Sequence, residues 1–466
     1  MALTKIGTSG IKDDAVTTDK LANAINTERT ANTAKDLTAL SASNLTSGTI
    51  PDARFPATLP AASAANLTAV PAANITGTLP AISAANLTSI PAANITGTLP
   101  AISGANLTNL PASGKATNLV INGAMNVAQR GTSSTSGGYR TLDRFKAEGG
   151  ANGVTTTQSQ QDLSSSDTPY SLGFRKYFRV ALSGAGTANT NAYVEMQQRI
   201  EAQNIATSGW NYTSSSSNIT LQFWFRASTN QTFYAYLYSF DGTKQVYTFS
   251  FTASGNNTWT KITKTIPGNS NLTFDNDNGP GMQIKFMVYY GTVYSNNKTL
   301  DQWGAYDSAN QLPDMASTWL TAGASTFDLT GLQLEVGDTA SDFAHESYQD
   351  QLLKCYRYYY RYTVPTSNSW VWMGQSNGSD KVWGKIRDFP VLMRATPTCS
   401  ISGSSFYPIG QNQSVGGHST FDTFNFNNTT TEKLYATWSG SAGIDTDAVV
   451  VFANTVTDYF DASAEL

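Results

Sequence analysis

The chain has 466 residues, of which only 13% are charged, with 29 Lys+Arg against 33 Asp+Glu and a formal net charge of -4. A soluble domain usually carries roughly 25% charged residues, and neutralising a phosphate backbone needs a basic surface, so no nucleic-acid partner is expected. Cys355, Cys399, His345 and His418 lack metal-ligand spacing, and no run of about 18 apolar residues occurs, so neither a Cys/His zinc site nor membrane insertion is expected.

The residues are unevenly spread. No aromatic residue lies between Phe55 and Tyr139, all nine Trp lie from Trp210 onward, and residues 55–114 contain no Asp, Glu, Lys, Arg or His. At roughly 100–200 residues per domain, two or three units are expected. The N-terminal Met1–Lys5 lacks the apolar core of a signal peptide.

Residues 1–43 hold one helix candidate, over 13–40. Thr17-Thr18-Asp19 offers a hydroxyl cap and an acid in the first turn, and Leu21 and Ile25 follow four apart. The apolar stripe is narrow, so such a helix is marginal alone. It reads either as a frayed terminal segment or as a helix that packs on copies of itself or on a docking partner.

Residues 44–117 are a repeat. Asn66-Leu67-Thr68 recurs at Asn86 and Asn106, a period of twenty, and the half-repeat Asn74–Pro80 recurs at Asn94–Pro100. The Asn spacing alternates eight and twelve, which excludes a pentapeptide repeat. Frequent Pro forbids a continuous helix and interrupts central strands. One such unit cannot bury its few apolar groups alone, whereas copies stacked or wound together can. The reading is a slender, intertwined homotrimeric shaft with Leu67, Val70, Ile75, Leu79, Leu87, Ile90, Ile95, Leu99 and Leu107 in its core. A flexible Ala/Pro linker is the alternative, against which the regular register speaks. The Asn-Leu-Thr and Asn-Ile-Thr triplets match glycosylation acceptors, but the repeat explains them better.

From Asn118 a period of two takes over. Ile219, Leu221, Phe223 and Phe225 share one face, and Phe174, Phe178, Val180 and Leu182 another. Further strands are expected at 193–200, 233–240, 246–252, 259–266, 283–290 and 327–336, separated by Ser/Asn/Gly loops. The pattern predicts a jelly roll or antiparallel sandwich over 118–345. A second, smaller β-sandwich is expected over 346–466. It would open with a short helix at 346–354, continue as an aromatic strand over Tyr356–Tyr362, and add strands at 370–373, 381–386, 434–438 and 449–452. The fold class is thus mainly β, with an N-terminal helix and a repeat shaft.

Three stretches support a resemblance. Met1–Leu21 with Gly48–Pro56 resembles the attachment and shaft region of bacteriophage tail fibres. Asn118–Gly123 with Leu332–Gly337 resembles the opening and closing strands of carbohydrate-binding-module jelly rolls. Cys355–Arg361 with Met393–Thr398 resembles a tail-fibre C-terminal domain. The resemblance implies a homotrimeric virion protein, assembled in the bacterial cytoplasm. Its N-terminus would dock to a tail baseplate protein and its distal β parts would bind host surface polysaccharide or lipopolysaccharide. Such modules often carry an aromatic-acid pair after the Asn-Gly, used partly for structural calcium; Met125-Asn126 stands there instead, a departure from that pattern.

No HExxH, P-loop, GxGxxG or GxSxG motif occurs, and no cofactor or catalytic residue is assigned. A Cys399–His418 pair reads better as a buried thiol and a loop histidine. The alternative function is a tail-associated polysaccharide depolymerase, a glycosidase or lyase; a glycosidase needs only two carboxylates at about 5–9.5 Å. Asp275 and Asp277 alternate as in a calcium loop, but the glycine comes early and no distal Glu follows, so an Asx turn is the stronger reading. Sugar binding needs flat apolar faces beside planar polar groups. The candidates are Trp370 and Trp372, expected on one strand face, with Trp383, Trp438, Asn377, Asp380 and Asn412. For any one Trp, core or subunit interface is the competing reading. The Tyr356–Tyr362 segment is expected at an interface, although Arg357 and Arg361 would also suit anionic sugars.

Overall fold

The computed structural model describes residues 118–466 except 367–368, 377–380, 403–405, 411–422, 427, 440–447 and 454–457. The helix candidate at 13–40 and the nine shaft-core residues lie outside the described residues.

The described chain is mainly β. Its first part runs β1 (Ser133–Ser134), β2 (Phe145–Gly150), β3 (Thr156–Asp162), β4 (Lys176–Leu182), β5 (Tyr193–Glu201), β6 (Asn218–Ala227), β7 (Thr232–Ser239), β8 (Gln245–Thr252), β9 (Thr260–Pro267), β10 (Pro280–Tyr290), β11 (Trp303–Ala305) and β12 (Thr326–Val336). These form two six-stranded sheets, ordered β1-β3-β4-β12-β6-β9 and β11-β8-β7-β10-β5-β2. Neighbours are antiparallel throughout, as in β12 on β6 and β10 on β5.

The period of two explains why the sheets stack. Ile219, Leu221, Phe223 and Phe225 of β6 all enter the shared core. Phe223 meets Phe286 of the opposite sheet at 4.9 Å and Phe225 meets Phe251 at 4.8 Å, both edge-on. That is a β-sandwich with interdigitated inner faces.

Asn118–Gly123, expected as an opening strand, forms turns instead. It nevertheless lies along β12. The Asn118 side chain donates to the Leu332 carbonyl at 3.0 Å and accepts from the Leu334 amide at 3.0 Å. The Leu119 amide donates to the Leu334 carbonyl at 2.9 Å, and the Leu332 amide to the Gly123 carbonyl at 3.0 Å. The two motifs therefore meet, but side-chain bonds from Asn118 replace part of a ladder. A side chain at Gly123 would collide with the Leu332 carbonyl oxygen, which explains the glycine.

The helix expected at 346–354 spans Tyr348–Tyr356, capped by the Ser347 hydroxyl accepting from the Asp350 amide at 3.1 Å. This corrects the aromatic strand expected over Tyr356–Tyr362. Tyr356 ends the helix, and the strand β13 covers only Tyr359–Thr363. The second part continues with β14 (Ser369–Ser376), β15 (Lys381–Asp388), β16 (Thr398–Ser402), β17 (Phe406–Gly410), β18 (Thr423–Asn425), β19 (Lys433–Ser439), β20 (Ala448–Ala453) and β21 (Tyr459–Ser463). A three-stranded sheet β13-β21-β16 faces a six-stranded sheet β17-β20-β14-β15-β19-β18. Phe460 of the first packs on Trp372 at 5.7 Å and on Phe406 at 4.8 Å in the second.

Candidate functional site

The predicted sugar contacts fall in different environments. Trp370 is 70% exposed and Met373 66% exposed, whereas Trp372 is 6% exposed in the second core. This corrects the expectation that Trp370 and Trp372 share a face. Strict alternation would put them together, but Trp370 opposes Phe452 while Trp372 opposes Val451, so β14 carries a bulge at Val371. The bulge places Val371 and Trp372 in consecutive buried positions and leaves Trp370 and Met373 exposed. Trp383 is half-buried on neighbouring β15, where its backbone opposes exposed Gln375. Trp438 lies on β19 opposite Val382. Asn377, Asp380 and Asn412 lie outside the described residues. The surface therefore brings Trp370, Met373, Gln375 and Trp383 onto one pair of strands. It offers an indole face, a thioether and an amide, a combination suited to sugar C–H groups and hydroxyls.

The structure also holds an aromatic face that the sequence reading did not single out. On β7, Phe233, Ala235 and Leu237 enter the sandwich core, while Tyr234, Tyr236 and Tyr238 point the other way. The segment between β10 and β12 covers them, with Tyr306 edge-on to Tyr238 at 4.9 Å and Tyr294 against Tyr290 at 4.9 Å. Beneath it, Lys285 donates to Glu195 at 2.8 Å, and the Tyr290 hydroxyl also donates to Glu195. Burial and the Glu195 charge push the Tyr290 phenol well above its ordinary value. The alternating Tyr at 234, 236 and 238 was the available signal, because such a strand needs two buried faces.

The motifs around Cys355–Arg361 and Met393–Thr398 serve a junction between the two sandwiches. Arg357 forks onto Glu201 at 2.7 and 2.8 Å, and Arg361 forks onto Asp461 with both bonds at 2.7 Å. This corrects the idea that these two arginines await an anionic sugar: each already holds a carboxylate bidentately. Burial opposes ionisation of Glu201, yet the bonds from Arg357 keep its carboxyl below the ordinary value. Arg144 is buried with its guanidinium 3.5 Å over the Tyr358 ring, ion-paired to Glu465 and donating to the Arg199 carbonyl at 2.5 Å. Arg130 lies 3.5 Å over Tyr359, 3.2 Å from Glu465 and 3.6 Å from Asp143. Burial raises the Asp143 carboxyl to about 6, although Arg130 and the Gln129 bonds oppose this. Gln129 in turn donates to the Tyr359 carbonyl at 3.0 Å. The Tyr356–Tyr362 segment is thus an interface within the chain.

The calcium-like run belongs to the same junction. Asp277 accepts from the Gly279 amide at 2.8 Å, an Asx turn. That turn presents Asn278, whose side chain donates to the Arg394 carbonyl at 2.5 Å and whose carbonyl accepts from Arg394 at 2.9 Å. Among the described residues, no three His, Cys, Asp or Glu side chains gather as a metal site. Cys355 is buried at the junction, and neither cysteine is in a disulfide.

No family model matches the chain, and no curated protein matches it either. Solved structures show distant, partial likenesses. One is the enzymatically active domain of tailspike protein 4 of bacteriophage CBA120, at 11% identity and TM-score 0.26, over 47% of this chain. The match spans only 21% of that tailspike chain. Another is a family 11 carbohydrate-binding module of a Clostridium thermocellum cellulase, at 13% identity and TM-score 0.22, over 44% of this chain and 95% of that one. The N-terminal cellulose-binding domain of Cellulomonas fimi β-1,4-glucanase C matches at 14% identity and TM-score 0.23, over 46% of this chain and 99% of that one.

Proposed function

We propose that the protein is a trimeric phage tail fibre that attaches to the tail baseplate through its N-terminal segment. Its distal sandwich binds host surface glycan and mediates adsorption. The observation that carries the glycan reading is the 70% exposed Trp370, with exposed Met373 on the same strand and half-buried Trp383 on the neighbouring one. Large indoles are usually well buried, and the flat face of an exposed one on a strand is suited to stacking on sugar C–H groups. The trimer reading rests on the uncharged twenty-residue repeat, which needs other copies to bury its apolar groups. Three weak sites on one fibre would bind by avidity.

Trp370→Ala should abolish adsorption to host cells while leaving the melting temperature unchanged. Adsorption at the wild-type level would refute the assignment. Light scattering should give three times the 49.9 kDa chain mass, and a monomer would refute the shaft.

A further inference from the structure

We infer that Arg199, on the outer face of β5, is an acceptor site for the carboxylate of an acidic saccharide. This rests on the proposal that the protein binds glycan, but it names a second site, on the first sandwich. The other partly or fully buried arginines all find acceptors within the chain. Arg130, Arg144, Arg179, Arg226, Arg357 and Arg361 each hold a carboxylate. Arg175 and Arg394 donate to backbone carbonyls. Arg199 is half-buried, yet no carboxylate among the described residues lies within ion-pair distance of it. Its Nε is sealed from solvent without an acceptor.

A half-buried guanidinium without a counter-charge is costly to keep, because burial removes hydration that nothing replaces. Such a group is retained where a ligand supplies the charge. The surroundings suit a sugar acid. The guanidinium carbon lies 5.1 Å from the Phe240 ring centre, which orients the planar fork. Gln283 stands opposite Arg199 on β10, and Tyr238 stands opposite Gln283 on β7. Gln283 and Tyr238 are themselves buried, the Gln283 amide donating to Gln197 and Tyr238 packed on Tyr306, so Arg199 is the partly exposed member of this row. With Nε sealed, the terminal Nη1–Nη2 edge remains to meet a planar carboxylate bidentately. Charge elsewhere on this face is compensated, since Lys285 pairs with Glu195. Arg199 is therefore the cation that gives the face a preference for anions.

The test titrates the full-length protein by calorimetry with oligogalacturonate and with its methyl-esterified, neutral counterpart. Wild type should favour the acid by about ten- to a hundredfold, the range for a hydrogen bond to a charged group. Arg199→Gln should bind both forms equally, with affinity for the ester retained, and Arg199→Lys should recover only part of the preference. Equal wild-type affinity for acid and ester would overturn the inference while leaving glycan binding standing. Binding of neither would overturn both. Because the esterified ligand is compared on the unaltered protein, a poorly folded variant cannot decide the result. A preference for acid that survives Arg199→Gln in a protein melting like wild type would place the site elsewhere and also overturn the inference.

Discussion

Glu465→Ala should loosen the junction between the sandwiches more than any other single carboxylate change at that interface. The Glu465 side chain bridges Arg144 and Arg130, and the Arg144 side chain is only 1% exposed. With the carboxylate gone, Arg144 retains the Arg199 carbonyl and the face of Tyr358, neither of which balances its charge. Removing one partner of a buried pair costs about 3–5 kcal/mol, mostly through the charge left behind. At about 2–4 °C per kcal/mol for domains of roughly 150–250 residues, melting should fall by roughly 6–20 °C. Differential scanning calorimetry of the full chain is the assay. The second sandwich should melt earlier and separate from the first, while Glu432→Ala, at an exposed position, should shift melting negligibly. A Glu465→Ala protein that melts with wild type in an unchanged profile would refute the account of the junction.

Four further outcomes follow from the same geometry. Asp143 is raised from 3.8 to about 6 by burial, so the native state binds its proton more tightly than the unfolded chain, and stability should fall as pH rises from about 4 to 6. That contribution is about 3 kcal/mol, and urea midpoints at pH 4.5 and 7 should show Asp143→Asn flattening the slope. Glu201, held below its ordinary value, acts oppositely: its contribution is present at neutral pH and is lost as pH falls below about 4.5. Gly123→Ala must displace the Leu332 carbonyl and should cost at least about 3 kcal/mol by denaturant titration; wild-type stability would show that Asn118–Gly123 does not dock on β12. Trp372→Ala should lose about 3–5 kcal/mol by the same titration, and a loss below about 1 kcal/mol would contradict its place in the core.

The strands were legible because their cause is local. Ile219–Phe225 buries alternate residues against a facing sheet, and that alternation is written in the sequence itself. The boundary at Tyr356 was not legible, because Tyr356–Tyr362 alternates like a strand while the helix cap that overrides it lies upstream at Ser347. The separation of Trp370 from Trp372 was hidden for a different reason. A bulge depends on the partner strand's register, which no local period reports. Arg357 and Arg361 looked available because Glu201 and Asp461 are 156 and 100 residues away in sequence. Of the candidate site, exposure at Trp370 and partial burial at Trp383 were compatible with the pattern, but deciding between core and surface required the tertiary fold.

The low charge content acquires a physical meaning once the pairs are located. In a chain with few ions, Arg130, Asp143, Arg144, Glu201, Arg357, Arg361, Asp461 and Glu465 are gathered at or beside the place where one sandwich meets the other. Buried pairs contribute little net stability compared with apolar packing, but they punish any other geometry by leaving a charge unmatched. The junction is therefore better suited to fixing an orientation than to adding stability. A fixed orientation matters for a multivalent binder, since avidity is lost when the geometry forbids simultaneous engagement. On the proposed reading, the Trp370 surface and the Arg199 face would be held at one angle in every subunit. Loosening the junction with Glu465→Ala should then weaken adsorption of whole fibres more than binding of a single soluble oligosaccharide. Equal losses in the two measurements would show that the junction does not act through geometry.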